Sequence, residues 1–578
     1  MRILYHQLQT PDGLRSIYTA VPDTATYNRM EWKVSGITIL REGSDEVSVR
    51  ELIAQLDLQP IIDDGLAVLL FPNPSDGKWH ISDGEPTPDM KFISGLNAFN
   101  GGAICDGWGA GPDCRYLMGI GSGAAIIHEL VNCHTTSTIG CAICAVDGEM
   151  PVWVAERATN AAMPAMLVNA GETAASYYIG VNKAEKKTET DYVCPYHPQQ
   201  QVLFASELNA ETGKRMWDMF RSTRRTNTSP VGDVDRRLLR EDARFEWHWN
   251  DTQLGDNGGI AHHWIESIPD CVKTDPTRKV PVILVSHGMG GTPIDTAEQI
   301  KIHEIGERVG FITVYLLSSE GRKWNLACDP KELSDVDYYR AMIEYLKAKY
   351  PVDETRIYTT GFSNGAGMAM IFALCCPELV AASFPIDSTF PYATLKFFTP
   401  GNRAFAAPYV TLVQQPGQGG RRPGGMAPQP ESAEQNLIPL QKALERNKEM
   451  RLRLPVMYFY GTRESEYPIR KGSNQEMSYN FWKEFNNIPL KETVENLEPD
   501  AVGVNGDVVN ELHPNREHPD HVYMEHIFYS ADGHDDYHFM LLRGKAHEVN
   551  SCEREMGWSF VSRFSRLSDG TLVDSQAK

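Results

Sequence analysis

Between Arg356 and Leu374 the sequence passes from a β-branched, apolar run, Arg356-Ile-Tyr-Thr-Thr360, through Gly361-Phe-Ser-Asn-Gly365 into an unbroken apolar stretch, Ala366-Gly-Met-Ala-Met-Ile-Phe-Ala-Leu374. A short buried strand, two glycines within five residues and a helix-length apolar run together require a sharp strand-to-helix reversal. Such reversals belong to parallel sheets, because a chain must climb back along a crossover helix before it can start a neighbouring parallel strand. The flanking sequence agrees. Pro281-Val-Ile-Leu-Val-Ser286 is an apolar run that stops at His287-Gly-Met-Gly-Gly-Thr292, and Phe311-Ile-Thr-Val-Tyr-Leu316 is another. Val336, Tyr339, Ile343, Leu346 and Tyr350 recur at three- and four-residue steps, which predicts one apolar stripe on a helix. Leu454-Pro-Val-Met-Tyr-Phe-Tyr460 supplies a further strand. The chain from about residue 234 is therefore predicted to be an α/β domain.

At 578 residues there is room for a second unit of similar size. The first half reads as a shortened copy of the second. Tyr116-Leu-Met-Gly-Ile-Gly-Ser-Gly-Ala124 aligns without gaps on Tyr358–Ala366, and Pro164-Ala-Met-Leu-Val-Asn169 matches Pro455–Tyr460. Leu66-Ala-Val-Leu-Leu-Phe71 is placed opposite the strand at Pro281, which puts Pro72-Asn73 where the second half has its His-Gly loop. In this alignment Gly121 takes the place of Ser363, and Ser122 falls one residue off it. No histidine precedes Trp217 at the spacing that separates His547 from Trp558, and the nearest one upstream is His197. We predict tandem units at 1–233 and 234–578, the first without chemistry of its own. Residues 400–430, rich in Gly, Pro, Gln and Arg, are expected to form a loop or lid.

A serine hydroxyl is a weak nucleophile until a base, a group orienting that base and donors for a developing oxyanion surround it. The second half offers candidates for each. Chance alone gives G-x-S-x-G about 0.2 times in a chain this long, and the strand–turn–helix setting adds to the signal. That turn would expose Ser363 and aim the N–H of Asn364 at the same spot, with Met289 after His287-Gly288 as the second donor. In the chain order nucleophile, acid, base, the acid is sought on the loop after the strand at Leu454, where Glu464 stands; Asp387 and Glu466 are alternatives. The base must follow. His547 lies between an apolar strand and a helical pattern around Trp558, and His534 and His538 are its rivals.

These residues resemble a family. Arg356–Ala369, preceded by Tyr350-Pro-Val-Asp353 and by His287–Thr292 with Trp324-Asn325 between them, is similar to the polyhydroxybutyrate-depolymerase and feruloyl-esterase-like branch of the α/β-hydrolases over roughly residues 240–570. The resemblance implies a serine carboxylesterase acting on aryl, acetyl or polyester-type esters with no cofactor and no metal. Ser363 would then be the nucleophile, Glu464 would sit where the family usually has Asp, and His547 would be the base. His287, Trp324 and Asn325 would lie near the substrate. Many secreted members bridge a Cys after the His-Gly to one beside that Trp. Met289 stands there in this chain, which departs from that pattern.

A net charge of −21 disfavours nucleic acid and anionic lipid surfaces as partners, leaving a small or polymeric ester. Eleven cysteines, an odd number, and no signal-like start favour the cytoplasm. Cys141 and Cys144, with Cys133 and His134 upstream, have no second CxxC to complete a zinc set and read as buried thiols. Two other readings remain at this stage: a serine peptidase of the prolyl-oligopeptidase kind, since the same triad cleaves amides, and a non-catalytic hydrolase-like binding protein.

Overall fold

The computed structural model describes the chain except for residues 24–32, 83–84, 99–102, 135–139, 226–232, 240–241, 243, 255–260, 322, 327, 329–331, 389–409, 414–432, 465–466, 492–505, 516–520 and 577–578. It divides into two compact units, Met1–Arg240 with Arg403–Met426, and Glu241–Asn402 with Ala427–Lys578. The break expected after residue 233 falls inside a structural element. Val234–Arg236 pairs with Thr223–Arg225 as a hairpin of the first unit, so that unit runs past the expected boundary.

The first unit is built on β1 (Arg2–Thr10), β2 (Gly13–Val21), β3 (Ser35–Leu40), β4 (Ala67–Pro72), β5 (Arg115–Ile120), β6 (Ile143–Val146), β7 (Ala165–Val168) and β8 (Gln201–Ala205). The second uses β9 (Phe245–Asp251), β10 (His262–Ser267), β11 (Val280–Ser286), β12 (Ile312–Leu316), β13 (Val352–Phe362), β14 (Ala382–Ile386), β15 (Val456–Gly461) and β16 (Tyr537–Leu542). Their spatial orders are 1-2-4-3-5-6-7-8 and 9-10-12-11-13-14-15-16. In both units the second strand runs antiparallel to its neighbours and the six strands after it run parallel to one another. This is the α/β-hydrolase fold, present twice. The parallel strands β3, β4, β6, β7, β11 and β12 are buried along their whole length, as strands covered on both faces must be.

The order of strands corrects one alignment made from sequence. β4, which contains Ala67–Phe71, lies where the second unit has β12, and the counterpart of β11 is β3. Apolar strands of similar length are interchangeable by composition, and only the crossing of the third and fourth strands tells them apart. The loop after β3, Arg41-Glu42, therefore replaces His287-Gly288, and Pro72-Asn73 does not.

Smaller contacts repeat just as closely. The N–H of Asp147 donates to Val168 O at 3.1 Å and that of Asp387 to Phe459 O at 3.0 Å. The Tyr116 hydroxyl donates to Thr223 O at 2.6 Å and the Tyr358 hydroxyl to Phe564 O at 2.9 Å. Buried Arg225 and Arg566 each donate to main-chain carbonyls from matching hairpins. Backbone registers this similar are what duplication of a whole fold leaves behind.

Of the Gly- and Pro-rich segment near 400–430, only residues 410–413 are described. There Thr411–Leu412 pairs antiparallel with β1 as an edge strand of the first sheet. The rest of the lid expectation lies outside the described residues.

The helix Asn364–Cys375 is buried from Gly365 to Leu374 and is apolar on every side. Its start is packed with no spare room. A Cβ on Gly365 would overlap the carbonyl oxygens of Ser286 and His287, and one on Gly123 would overlap that of Leu40. Gly365→Ala and Gly123→Ala are therefore each expected to destabilise their units by about 2–3 kcal/mol or more, because backbone cannot yield as a side-chain tip can. Urea unfolding followed by circular dichroism measures this, and midpoints equal to that of the unmodified protein contradict the close approach.

Candidate active site

Ser363 follows β13 directly and precedes the helix Asn364–Cys375 with φ 56° and ψ −119°. A non-glycine residue in this region costs on the order of 1–3 kcal/mol, and surrounding structure must impose it. Here the Ser363 N–H donates to Ile386 O at 2.9 Å, and the helix behind is fixed by the packing at Gly365. The conformation lifts the side chain off the sheet, and the hydroxyl meets a histidine. Ser363 Oγ lies 2.8 Å from His547 Nε2, and His547 Nδ1 lies 2.7 Å from Glu464 Oε1. The His547 side chain is half exposed, whereas the Glu464 side chain is only 7% exposed, so the acid is sheltered while the hydroxyl and ring remain reachable.

The alternatives named from sequence lie elsewhere. Asp387 does sit close by, within 4.8 Å of Glu464 and His547 by its nearest oxygen, but it is fully buried and engages Lys545 Nζ at 3.0 Å. Glu466 is outside the described residues. His538 points into the core beside Glu525 at 3.0 Å and Asp535 at 3.5 Å, and His534 pairs with Asp532 at 3.7 Å, so neither is engaged with Ser363.

His287, Trp324 and Asn325 were expected to touch substrate. Their side chains are instead 0%, 2% and 6% exposed and hold the turns around the site. The indole N–H of Trp324 donates to His287 O at 2.8 Å, and its main-chain N–H donates to Asn364 Oδ1 at 2.8 Å. His287 Nε2 accepts the Ser318 N–H at 3.0 Å, which leaves the hydrogen of the neutral ring on Nδ1, facing Gly288 O at 2.6 Å. The Asn325 N–H donates to Asp335 Oδ2 at 2.7 Å. These bonds brace the loop that ends in Met289, which is 39% exposed, against the first residue of the helix.

The first unit preserves this bracing without the reactive groups. Gly121 has φ 60° and ψ −120°, the same turn as Ser363. Trp79 donates from its indole to Arg41 O at 2.9 Å and from its main chain to Ser122 Oγ at 3.1 Å, and the His80 N–H donates to Asp89 Oδ2 at 3.0 Å. Trp79-His80 is thus the counterpart of Trp324-Asn325, and Ser122 stands for Asn364. Sequence reading missed this pair because it had matched the wrong strand. A Trp a few residues beyond each fourth strand was the available signal. At the place of Gly288 stands Glu42, whose Oε1 lies 3.6 Å from where a Cβ on Gly121 would be. A carboxylate there repels a developing oxyanion. The loop Ser206–Asn209 after β8 contains no histidine.

Among the described residues, two sets of carboxylates and histidine come close enough to share an ion. In Glu246, His248 and Glu266 the Lys349 ammonium already lies 2.9 Å from Glu246 and 3.3 Å from Glu266. The other set is Asp387, Glu464 and His547, whose partners are given above. Cys141 and Cys144 are buried thiols, neither in a disulfide, and burial pushes the latter up to about 12.

No family model matches the chain. Two fungal proteins named feruloyl esterase B match part of it. The protein from Neurospora crassa is 30% identical over 121 residues, 20% of this chain and 40% of its own. The one from Talaromyces funiculosus is 28% identical over 149 residues, 25% of this chain and 40% of its own. The matched segment thus spans well under half of these curated relatives. Among solved structures, an acetyl xylan esterase from Aspergillus awamori aligns over 55% of this chain and 98% of its own, with 14% identity and a TM-score of 0.32. A mutant feruloyl esterase module from Clostridium thermocellum complexed with sinapinate aligns over 55% and 87%, with 14% identity and a TM-score of 0.31.

The His538 cluster gives the second unit a pH-dependent support. Burial opposes charge on His538, but Asp535 and Glu525 outweigh it and hold the ring above its usual value. Burial likewise opposes charge on Glu525 and Asp535, yet His538, with Asn510 for the first and Arg563 for the second, holds both below their usual values. A raised histidine adds stability fully present below about pH 6.5 and lost as pH rises through its folded value; the lowered carboxylates act in the opposite sense, at acid pH. His538→Gln should therefore lower Tm most near about pH 6, with the gap narrowing toward about pH 9. Melting curves across that range test it, and a gap that widens with pH contradicts it.

Proposed function

We propose that the second unit is a serine carboxylic-ester hydrolase working through an acyl-enzyme, with Ser363 as nucleophile, His547 as base and Glu464 as the acid that orients it. The observation that carries this reading is the 2.8 Å and 2.7 Å chain from Ser363 Oγ through both ring nitrogens of His547 to Glu464, set on a strained turn. Attack of Oγ on an ester carbonyl transfers the hydroxyl proton to Nε2. Glu464 accepts the Nδ1–H throughout and stabilises the imidazolium that forms. The negative charge on the carbonyl oxygen is held by the N–H groups of Asn364, in the first turn of its helix, and Met289. As the tetrahedral intermediate collapses, Nε2 returns its proton to the departing alkoxide. Water then repeats the sequence on the acyl-serine and releases the acid. The first unit, with Gly121 at the nucleophile position and Glu42 beside it, takes no part in this chemistry.

The named relatives suggest the substrate class. Esters of aromatic acids such as ferulate and acetyl esters are the first to assay, with polyester-type substrates after them.

With p-nitrophenyl acetate, Ser363→Ala should lower kcat by about 10^4-fold or more and Glu464→Gln by roughly 10^2- to 10^4-fold, with folding retained. A fluorophosphonate probe should label the unmodified chain at Ser363, read by peptide mass spectrometry. Hydrolysis by Ser363→Ala at the unmodified rate overturns the assignment. Gly121→Ser restores a hydroxyl to the first unit without a base or an oxyanion site, so no label is expected at residue 121. Labelling there would show that the first unit keeps a reactive centre.

A further inference from the structure

Behind the triad, outside the chemistry just described, lies a group of three charged side chains with no solvent exposure: Lys545, Asp387 and Glu553. Lys545 Nζ is 3.0 Å from Asp387 Oδ2 and donates also to Glu553 Oε1. The same two carboxylates grip the main chain on the far side of His547. The Glu548 N–H donates to Asp387 Oδ2 at 3.1 Å and the Asn550 N–H to Glu553 Oε2 at 2.9 Å. The base is therefore flanked, two residues before and one after, by groups tied to one buried carboxylate. The acid's turn docks on the same loop. The Arg463 N–H donates to Lys545 O at 2.9 Å, and Gly461 packs so closely on that carbonyl that a Cβ would not fit.

We propose that Lys545, clamped between Asp387 and Glu553, is a positioning residue that fixes the imidazole of His547 between Ser363 and Glu464, so that its loss slows the chemical step while leaving substrate binding nearly unchanged. This rests on the reading of Ser363 and His547 as the reacting pair.

Three observations separate this role from ordinary packing. Buried ion groups return little net stability, because desolvation offsets their attraction, so three buried charges need a reason beyond holding the core. The first unit supplies a comparison. Asp147 occupies the same strand end with the same φ of 51°, but it is exposed and accepts from Asn169 Nδ2 at 3.0 Å, in a unit whose corresponding loop carries no histidine. Finally, a carboxylate oxygen of Asp387 lies within 4.8 Å of the Glu464 and His547 side chains, yet His547 Nδ1 is engaged by Glu464 at 2.7 Å. The ammonium of Lys545 instead holds the Asp387 carboxylate at 3.0 Å. Burial pushes the Asp387 and Glu553 carboxyls up, Lys545 pulls them back, and the two carboxylates hold the Lys545 ammonium above its usual value.

Lys545→Met keeps the length of the stem and removes the charge. On p-nitrophenyl acetate it should lower kcat about 10- to 100-fold, the scale of a displaced catalytic group, with KM within about two-fold. Labelling of Ser363 by the fluorophosphonate should slow by a similar factor. A purely structural lysine would lower Tm and leave kcat of the folded enzyme unchanged, and that result overturns the proposal. Should Lys545→Met fail to fold, Asp387→Asn preserves shape and an acceptor for the Glu548 N–H while removing the charge that holds Lys545. The same loss in kcat is expected of it, and unchanged kcat overturns the proposal. In the double variant the loss should not exceed that of Lys545→Met alone, since both act through one clamp; fully additive losses overturn it. If the unmodified chain is not labelled at Ser363, the catalytic reading itself fails and this inference falls with it. A labelled, active parent with an unimpaired Lys545→Met overturns only the positioning role.

Discussion

The structure depends on how closely the end of a central strand approaches the start of the helix beside it. In the second unit Gly365 lies against the carbonyl oxygens of Ser286 and His287; in the first, Gly123 lies against that of Leu40. This contact fixes where the helix begins, and the helix start forces the residue before it into a positive-φ turn. Whatever stands there is pushed off the sheet. In one unit it is Ser363 and in the other Gly121, with backbone angles that differ by only a few degrees. The strain is a property of the scaffold, and the chemistry is decided by the side chain placed on it.

The two units share their bracing and differ in the side chains set on it. The tryptophan brace, the aspartate that ends the sixth strand, the tyrosine bonded to the C-terminal hairpin and the buried arginine all persist in both. These contacts tie loops and hairpins to the sheet in each unit. The Ser363 hydroxyl and the His547 imidazole have no counterpart in the Gly121 turn and the Ser206–Asn209 loop of the first. A carboxylate at Glu42, beside Gly121, would repel negative charge gathering on a reacting oxygen at that place.

In the second unit, His547 sits on the loop between β16 and the helix Glu553–Val561, and polar contacts hold it. Its ring is half exposed, so packing alone cannot keep it oriented. Glu464 holds it from one side, and the carboxylates of Asp387 and Glu553 secure the loop from beneath. Two neighbouring acids thus have different partners: Glu464 faces the imidazole, and Asp387 is occupied by an ammonium.

The turn at Ser363, the strands around it, the tandem organisation and the order of Ser363, Glu464 and His547 were legible in the sequence because each leaves a local signature. Glycines at fixed spacing mark the reversal, apolar runs mark buried strands, and loops after them carry polar residues. Three-dimensional packing decided the rest. It set Glu464 at 2.7 Å from His547 Nδ1 and Asp387 against Lys545, although both acids follow apolar strands and are alike in sequence. It turned His287, Trp324 and Asn325 inward, because hydrogen bonds made across distant loops leave no periodic trace. It matched β3 to β11, since strand order in a sheet is set by which crossovers pack and cannot be read from the composition of any one strand.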